Sequence, residues 1–153
     1  MKNLVNQARH DLILFSPYIK LDALKMLFES IDMNLKVTII TTWKPQDVVF
    51  GSSDLDVYNY CKNKSNYSLL INNKIHLKTI LIDSFAKGYV GSANISYSGL
   101  SITDRYNYEL GIIVDEILLV DLPYFDSIIE ESFNVTDDYY NKILNEVENL
   151  EKP

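Results

Sequence analysis

Residues 75–94 read IHLKTILIDSFAKGYVGSAN, and this stretch is the part of the chain that indicates a chemistry. Its first half, residues 75–82, is apolar and β-branched, which predicts a buried strand. Side chains two residues apart in a strand lie on the same face, so His76 and Lys78 should point the same way. Asp83, an odd number of positions from His76, should point to the other face.

The second half of the stretch predicts a hairpin and a second strand. Residues 84–89 contain a Lys-Gly pair that suits a turn. The strand after the turn would carry Ser92 and Asn94 on one face. Two neighbouring strands would then present four polar side chains to one place: His76, Lys78, Ser92 and Asn94.

This spacing resembles the signature of the phospholipase D superfamily, which reads His, any residue, Lys, four residues, Asp, about six residues and then Gly-Ser-x-Asn. The matching residues here are His76, Lys78, Asp83, Gly91, Ser92 and Asn94. Seven residues separate Asp83 from Gly91, an insertion that a turn accommodates without changing strand parity. Three further segments also resemble bacterial members of the superfamily: LILFSPYI at 12–19, NISYSGL at 94–100 and NYELGIIV at 107–114.

The resemblance implies an α/β fold with a mixed, mostly parallel sheet sandwiched between helices. The alternation of segments along the chain independently favours an α/β sheet that is covered on both faces. Strands are predicted at 11–16, 35–42, 68–71 and 109–115, with helices at 21–31 and 54–62. We expect residues 1–153 to form a single phospholipase D-like domain. In it, residues 121–153 form a helical C-terminal extension that covers the sheet or makes a dimer contact.

The resemblance also implies a role for each site residue. His76 would attack phosphorus as a nucleophile, and Glu109 would hold its ring and stabilise the charge that develops on it. Lys78 and Asn94 would bind the non-bridging phosphate oxygens. Ser92 would add a hydrogen bond. Asp83, which faces away and begins the turn, fits a structural anchor better than a base.

The net charge of −7 is unfavourable for a partner as negative as nucleic acid, but it is unevenly distributed. Residues 1–120 carry 12 acidic and 12 basic side chains, whereas residues 121–153 carry 9 acidic and 2 basic ones. Lys44, Lys87 and Arg105 are therefore candidates for substrate binding, with Lys62, Lys64 and Lys74 also available as a phosphate-contacting rim. For each of them separately, a solvated surface position is an equally good interpretation.

Composition bears on disulfides, on metal sites and on where the protein is located. A single Cys61 excludes an internal disulfide framework. Two separate histidines and scattered carboxylates show no spacing typical of a metal site, so we expect no cofactor. No apolar run approaches the roughly 20 residues that span a membrane, and no signal peptide is visible, so we expect a cytoplasmic protein.

The number of motifs predicts the assembly. Enzymes of the superfamily use two copies of the motif, and this chain has one. An active enzyme would therefore be a homodimer that pools two sites about a two-fold axis. The resemblance favours a metal-independent endonuclease, acting on DNA rather than RNA, of the kind found in restriction and defence systems. Two alternatives remain open: a phospholipid hydrolase, which the acidic C-terminal helices disfavour, and a non-catalytic nucleic-acid-binding or scaffold module.

Overall fold

A computed structural model describes residues 1–96, 99–100, 108–115 and 122–150. The strands are β1 (Asp11–Phe15), β2 (Lys36–Thr41), β3 (Tyr67–Ile71), β4 (Thr79–Ile82), β5 (Lys87–Gly91), β6 (Gly111–Val114) and β7 (Phe133–Asn134). The helices are α1 (Lys2–Gln7), α2 (Leu21–Leu27), α3 (Pro45–Val49), α4 (Val57–Lys62), α5 (Leu122–Glu131) and α6 (Asp137–Glu148).

The described strands form one sheet in the order β6-β5-β4-β1-β2-β3-β7. Strand β2 pairs in parallel with β1 and with β3, and the other four pairings are antiparallel. The prediction of a mixed α/β sheet is confirmed, but the expectation of a mostly parallel sheet is wrong. For β4 and β5 the cause is local, because a short turn joins them and short connections produce antiparallel pairs.

Alternation along each strand divides the apolar side chains between the two faces of the sheet. One face carries Leu12, Leu14, Val37, Ile39 and Ile80, and the core on this side includes buried residues of α1, α2, α4 and α6. The other face carries Phe15, Ile40, Leu70 and Leu81. It packs against Phe125, Ile128 and Ile129 of α5. Both faces are therefore covered by helices, as the sequence predicts.

The C-terminal segment packs on the sheet, which is one of the two roles left open by the sequence. Helix α5 lies on one face and α6, through Ile143, on the other. The side chain of Thr136 accepts a hydrogen bond from the Tyr139 amide and caps α6, as expected for an N-cap threonine. Between the two helices, β7 adds a short strand beside β3 that the sequence analysis missed.

Two boundaries in the motif region differ from the prediction. The expected strand at 75–82 begins at Thr79, so that residues 75–78 form its lead-in. The turn lies at Asp83, Ser84 and Phe85, which have φ values of 52°, 56° and 71°, and not at Lys87 and Gly88, which already belong to β5. No helix within the described ranges is long and apolar enough to cross a membrane.

Candidate active site

Six strand ends meet at one edge of the sheet, which we call the carboxyl edge. The parallel strands β1, β2 and β3 end there. Strand β4 begins there because Thr79 pairs with Phe15, and β5 ends there because Val90 pairs with Thr79. Strand β6 begins there, with Gly111 opposite Gly91. The segments flanking these ends carry five of the predicted site residues: His76, Lys78, Ser92, Asn94 and Glu109.

His76 and Lys78 lie in the extended lead-in to β4. The Gly91 amide donates to the Lys78 carbonyl at 3.2 Å, which continues the pairing with β5 beyond the assigned strand. The Lys78 ammonium donates to the carbonyl of His76 at 3.2 Å. The His76 side chain is exposed and Lys78 is half-buried. The nucleophile candidate and the cation candidate are thus neighbours at an edge open to solvent.

Ser92 and Glu109 are joined directly across β5 and β6. The Ser92 hydroxyl donates to the Glu109 carboxylate and accepts a hydrogen bond from the Leu110 amide at 3.0 Å. The Ser92 amide donates to the Leu110 carbonyl at 2.9 Å. These bonds hold the Glu109 carboxylate next to the end of β5, where the Gly-Ser-x-Asn segment begins.

The pairing of Glu109 with His76 that the sequence analysis expects is not among the contacts of the described residues. Glu109 bonds to Ser92, and the His76 imidazole makes no hydrogen bond within that part of the chain. The two residues also line different cavities, Glu109 one that includes residues of α1 and α2, and His76 one that includes residues of α5. The orienting role of Glu109 stays a prediction.

Tyr89 is a residue of this site that the sequence analysis missed. Its buried ring lies across two glycines, since a Cβ added to Gly91 would meet Tyr89 Oη at 2.2 Å and one added to Gly111 would meet Tyr89 Cε2 at 2.1 Å. The pKa of the Tyr89 hydroxyl lies above its ordinary value, mainly because the group is buried. A hydrogen bond with the Ala93 backbone lowers this pKa, and the charge of Glu109 raises it. Two glycines facing each other on neighbouring strands were the available signal.

A cavity of about 390 Å³ opens beside Tyr89. Its lining includes Met1, Leu27, Tyr89, Leu100 and Glu109, and it is mainly apolar. The carboxylate of Glu109 therefore stands between this cavity and the carboxyl edge.

Asn94 lies in the turn that follows β5. The Ser96 hydroxyl accepts a hydrogen bond from the Gly99 amide at 2.9 Å, and the Ser96 amide donates to the Asn94 carbonyl at 3.0 Å. Gly99 packs against Asn94 so closely that a Cβ there would meet the Asn94 carbonyl oxygen at 2.3 Å. Among the described residues, the Asn94 side-chain oxygen is buried without a hydrogen-bond partner. Such a group is uncommon in folded proteins and is expected where function requires it.

Asp83 lies at the opposite edge of the sheet, where β4 ends. Its carboxylate accepts hydrogen bonds from the Arg9 amide at 2.9 Å and the His10 amide at 2.8 Å. Burial raises the pKa of Asp83, but the amides of His10, Arg9 and Asp11 and the charge of His10 outweigh it, so that the pKa lies below its ordinary value. Asp83 therefore ties the turn after β4 to the start of β1.

Two of the three cations predicted to bind substrate are described, and they lie at opposite edges of the sheet. Lys44 is exposed and follows β2 at the carboxyl edge. Lys87 begins β5 at the opposite edge, where its ammonium donates to Gln7 at 3.1 Å and lies 3.7 Å from an Asp115 carboxylate oxygen. Arg105 lies outside the described residues. A substrate role for any of the three stays a prediction, and of the two described ones Lys44 lies at the edge that carries His76.

The arrangement is suited to an anionic substrate. An exposed imidazole, an ammonium group and an amide lie on segments that meet at one edge, and each can act on a phosphate group. Within the described part of the chain, no group of three or more His, Cys, Asp or Glu side chains could hold a metal ion.

Comparisons with known proteins agree with this architecture. The chain matches the family described as "Cardiolipin synthase, PLD-like domain" over residues 1–122. No match was found among curated proteins. The chain superimposes on NucT from Helicobacter pylori with a TM-score of 0.64 and 16% identity, covering 88% of this chain and 87% of that one.

Two longer proteins share the fold. TrmBL2, an archaeal chromatin protein described as showing a novel mode of DNA binding, gives a TM-score of 0.57 at 17% identity, over 88% of this chain and 48% of that one. Phosphatidylserine synthase from Haemophilus influenzae Rd KW20 gives a TM-score of 0.59 at 13% identity, over 95% of this chain and 40% of that one. The chain spans less than half the length of these two. Because the family match covers most of the chain, the protein belongs to the PLD-like domain family of the phospholipase D superfamily.

Proposed function

We propose that this protein is a metal-independent phosphodiesterase that hydrolyses nucleic-acid phosphodiester bonds, of DNA in preference to RNA, in a site shared by two copies of the chain. The observation that carries the proposal is the meeting of five of the predicted site residues at the carboxyl edge, with His76 exposed beside Lys78. Family membership supports the reaction class. The neutral charge of residues 1–120 leaves a polyanionic substrate compatible with the site.

In the proposed reaction, an imidazole nitrogen of His76 attacks phosphorus and forms a P–N bond while the bond to the leaving oxygen breaks. The protonated imidazole of the partner's His76 gives its proton to that oxygen. The same imidazole then takes a proton from water, whose oxygen attacks phosphorus, breaks the P–N bond and restores neutral His76. Lys78 and Asn94 stabilise the negative charge on the non-bridging oxygens in both steps.

The assignment of Glu109 follows from the charge that His76 acquires. A carboxylate near the imidazole would stabilise the positive charge that forms on attack. Glu109 lies at the same edge, held by Ser92. We propose that Glu109 turns from Ser92 towards His76 when substrate and the second copy are bound, because hydrogen bonds of catalytic groups often tighten only in the complex.

A homodimer follows from the single motif. The proposed acid that protonates the leaving oxygen is a second imidazole, and the described residues offer none at the carboxyl edge other than His76. Exposed apolar side chains on β6, namely Ile112 and Ile113, support a contact with another chain.

The test is to incubate the protein with supercoiled plasmid and with single-stranded DNA and RNA in the presence of EDTA, beside a His76→Ala variant. Cleavage that survives EDTA and is lost in His76→Ala is the expected result. Trapping of a covalent adduct between protein and nucleic acid in alkaline denaturant, stable to base, labile to acid and lost in His76→Ala, would identify the P–N intermediate. Cleavage that persists in His76→Ala would contradict the proposal.

A second candidate function is hydrolysis of phospholipids with release of the headgroup. The fold similarity to a phosphatidylserine synthase is the reason to consider it. The acidic composition of residues 121–153 argues against it, because an anionic membrane surface favours lysine and arginine. Release of headgroup from phosphatidylglycerol vesicles without cleavage of nucleic acid would favour this candidate. Nucleic-acid binding with neither activity would favour a non-catalytic module.

A further inference from the structure

A groove of about 310 Å³ lies directly beside the proposed nucleophile, and we call it the α5 groove. Its residues include Lys74, His76, Leu77, Tyr124, Ile128 and Glu131. One wall is the loop between β3 and β4, and the other is helix α5. The volume lies at the lower end of the range of ligand sites, roughly 300–1,000 Å³.

The two walls are fixed to each other by Asn72. The side chain of Asn72 is buried, and its amide nitrogen lies 3.4 Å from the Ile128 carbonyl and 3.3 Å from the Ser132 hydroxyl, to which it donates. Its side-chain oxygen accepts a hydrogen bond from the Lys74 amide at 3.1 Å. One residue thus joins the loop that carries Lys74 and His76 to the helix that carries Tyr124. These bonds fix the position of the loop relative to the helix.

The wall formed by α5 is aromatic and apolar at the end occupied by Tyr124. Tyr124, Ile128 and Glu131 recur at spacings of four and three residues, which places them on one face of the helix. The Tyr124 side chain is 60% exposed, and its ring meets Phe125 edge-on with centroids 5.5 Å apart. A ring that is supported from behind and open to solvent in front is suited to stacking.

The two walls of the α5 groove carry opposite charges and therefore favour different parts of a ligand. Lys74 is exposed on the loop wall, next to His76, and attracts phosphate. Glu131 is exposed on the helix wall and repels phosphate. The helix wall therefore favours an uncharged planar group, and the loop wall favours an anionic one. A nucleotide has both, in a single unit.

We propose that the α5 groove binds one nucleotide beside the scissile phosphate, with its base stacked on Tyr124 and its outer phosphate bound by Lys74. This inference rests on the proposed phosphodiesterase function and adds the kind of strand that is cut. A base can stack on Tyr124 only when it is unpaired, so single-stranded or frayed nucleic acid is the preferred substrate.

The catalytic test uses two esters that share a leaving group. Thymidine 5′-(p-nitrophenyl phosphate) carries a base, and methyl p-nitrophenyl phosphate does not. Stacking of one base corresponds to roughly 5- to 150-fold in affinity. Tyr124→Ala should lower kcat/KM for the thymidine ester by about tenfold and leave the methyl ester within twofold, whereas Tyr124→Phe should retain both. Equal losses for the two esters, or no loss, would overturn the inference.

A binding test separates failure of this inference from failure of the proposed function. In the His76→Ala background, fluorescence anisotropy would compare a labelled 12-nucleotide single strand with the matching duplex. Tyr124→Ala and Lys74→Gln should each weaken binding of the single strand at least fivefold, and Lys36→Gln, an exposed lysine at the start of β2, should not. The wild type could show no hydrolysis while these binding differences still appear. In that case the nucleotide site is supported and the enzymatic proposal is wrong. If duplex binds as tightly as single strand and Tyr124→Ala has no effect, the nucleotide site is wrong.

Two carboxylates on one helix give a matched control for the charge argument. Glu131 lines the groove and Glu130, its exposed neighbour, is not among the lining residues. Glu131→Gln should tighten single-strand binding more than Glu130→Gln does at low salt, because only the first removes a negative charge from the groove. Equal effects would show that only net charge matters. Preferential binding of an acyl-chain ester over the thymidine ester would assign the groove to lipid instead.

Discussion

Lys78 is the residue whose position supports its predicted role most directly. Its ammonium lies beside His76 at the carboxyl edge, where it can neutralise charge on phosphate oxygens. Removing one group that stabilises a transition-state anion typically lowers kcat by roughly 10²–10³-fold. We expect that loss for Lys78→Ala in a plasmid-nicking assay. Lys25→Ala, which changes an exposed lysine on α2, should stay within twofold. Full activity in Lys78→Ala would remove lysine from the proposed mechanism.

Asp83 predicts a pH dependence of stability. Its pKa lies below the ordinary value of 3.8, so the folded state is stabilised by the ionised carboxylate above that pH. This contribution is lost as the pH falls through the lowered pKa. Asn tolerates the positive φ of 52° at this position, so Asp83→Asn tests the charge with little backbone strain.

We expect Asp83→Asn to lower the free energy of unfolding by about 1 kcal/mol at pH 7 in urea titrations. The difference should shrink steadily below pH 3.8 because the wild-type carboxyl then becomes protonated. Asp126→Asn, at an exposed position on α5, is the control and should change stability by less than about 0.5 kcal/mol at either pH. A loss in Asp83→Asn that is independent of pH would show that charge is not the cause.

The antiparallel pair of β5 and β6 depends on the ring of Tyr89, which covers Gly91 and Gly111. All three nearest atoms to a Cβ added at Gly111 belong to the Tyr89 side chain. Gly111→Ala should therefore cost about 1–3 kcal/mol, and Tyr89→Ala about 3–5 kcal/mol. The double variant should be less destabilised than the sum, because removing the ring also removes the clash. Additive losses in urea unfolding would contradict this packing.

The strands of this fold were predictable where apolar runs are long and bounded. Residues 37–40, VTII, form the centre of β2, and LILF forms most of β1, as periodicity indicates. Strand β7 has two residues and no periodic pattern, and it exists because residues 133 and 134 pair with β3. The turn after β4 was placed too late because its three positive-φ residues, Asp, Ser and Phe, include no glycine. Its conformation is supported instead by the Ser84 amide and hydroxyl, which both donate hydrogen bonds to the Asp11 carboxylate.

For the candidate active site, spacing predicted which segments meet but not which atoms bond. Five of the predicted site residues flank strand ends at the carboxyl edge because β4, β5 and β6 are consecutive antiparallel neighbours. The bond between Ser92 and Glu109 depends on the register of β5 and β6, in which Gly91 pairs with Gly111, and no residue pattern fixes that register in advance. Tyr89 was missed for the same reason, since its two glycines lie on different strands.

Across the whole molecule, the distribution of apolar surface bears on the proposed dimer. Within the described part of the chain, β6 pairs only with β5 and forms one end of the sheet. Ile112 is 62% exposed, and its pairing partner Val90 is also exposed. An edge strand with exposed apolar residues is a surface that readily pairs with another chain. The same strand begins at the carboxyl edge, so a contact through it would bring the sites of two copies near each other.

We therefore expect Ile112→Glu to weaken self-association at least tenfold, because two copies would each bring a charge into an apolar contact. Light scattering should show a dimer for the wild type and a monomer for the variant at the same micromolar concentration. Activity per chain should fall as self-association is lost, because a lone copy has no second His76. Met33→Glu is the control, because Met33 is 90% exposed in the loop before β2, away from β6. Circular dichroism would verify that both variants are folded, and a fully active monomer would refute the shared site.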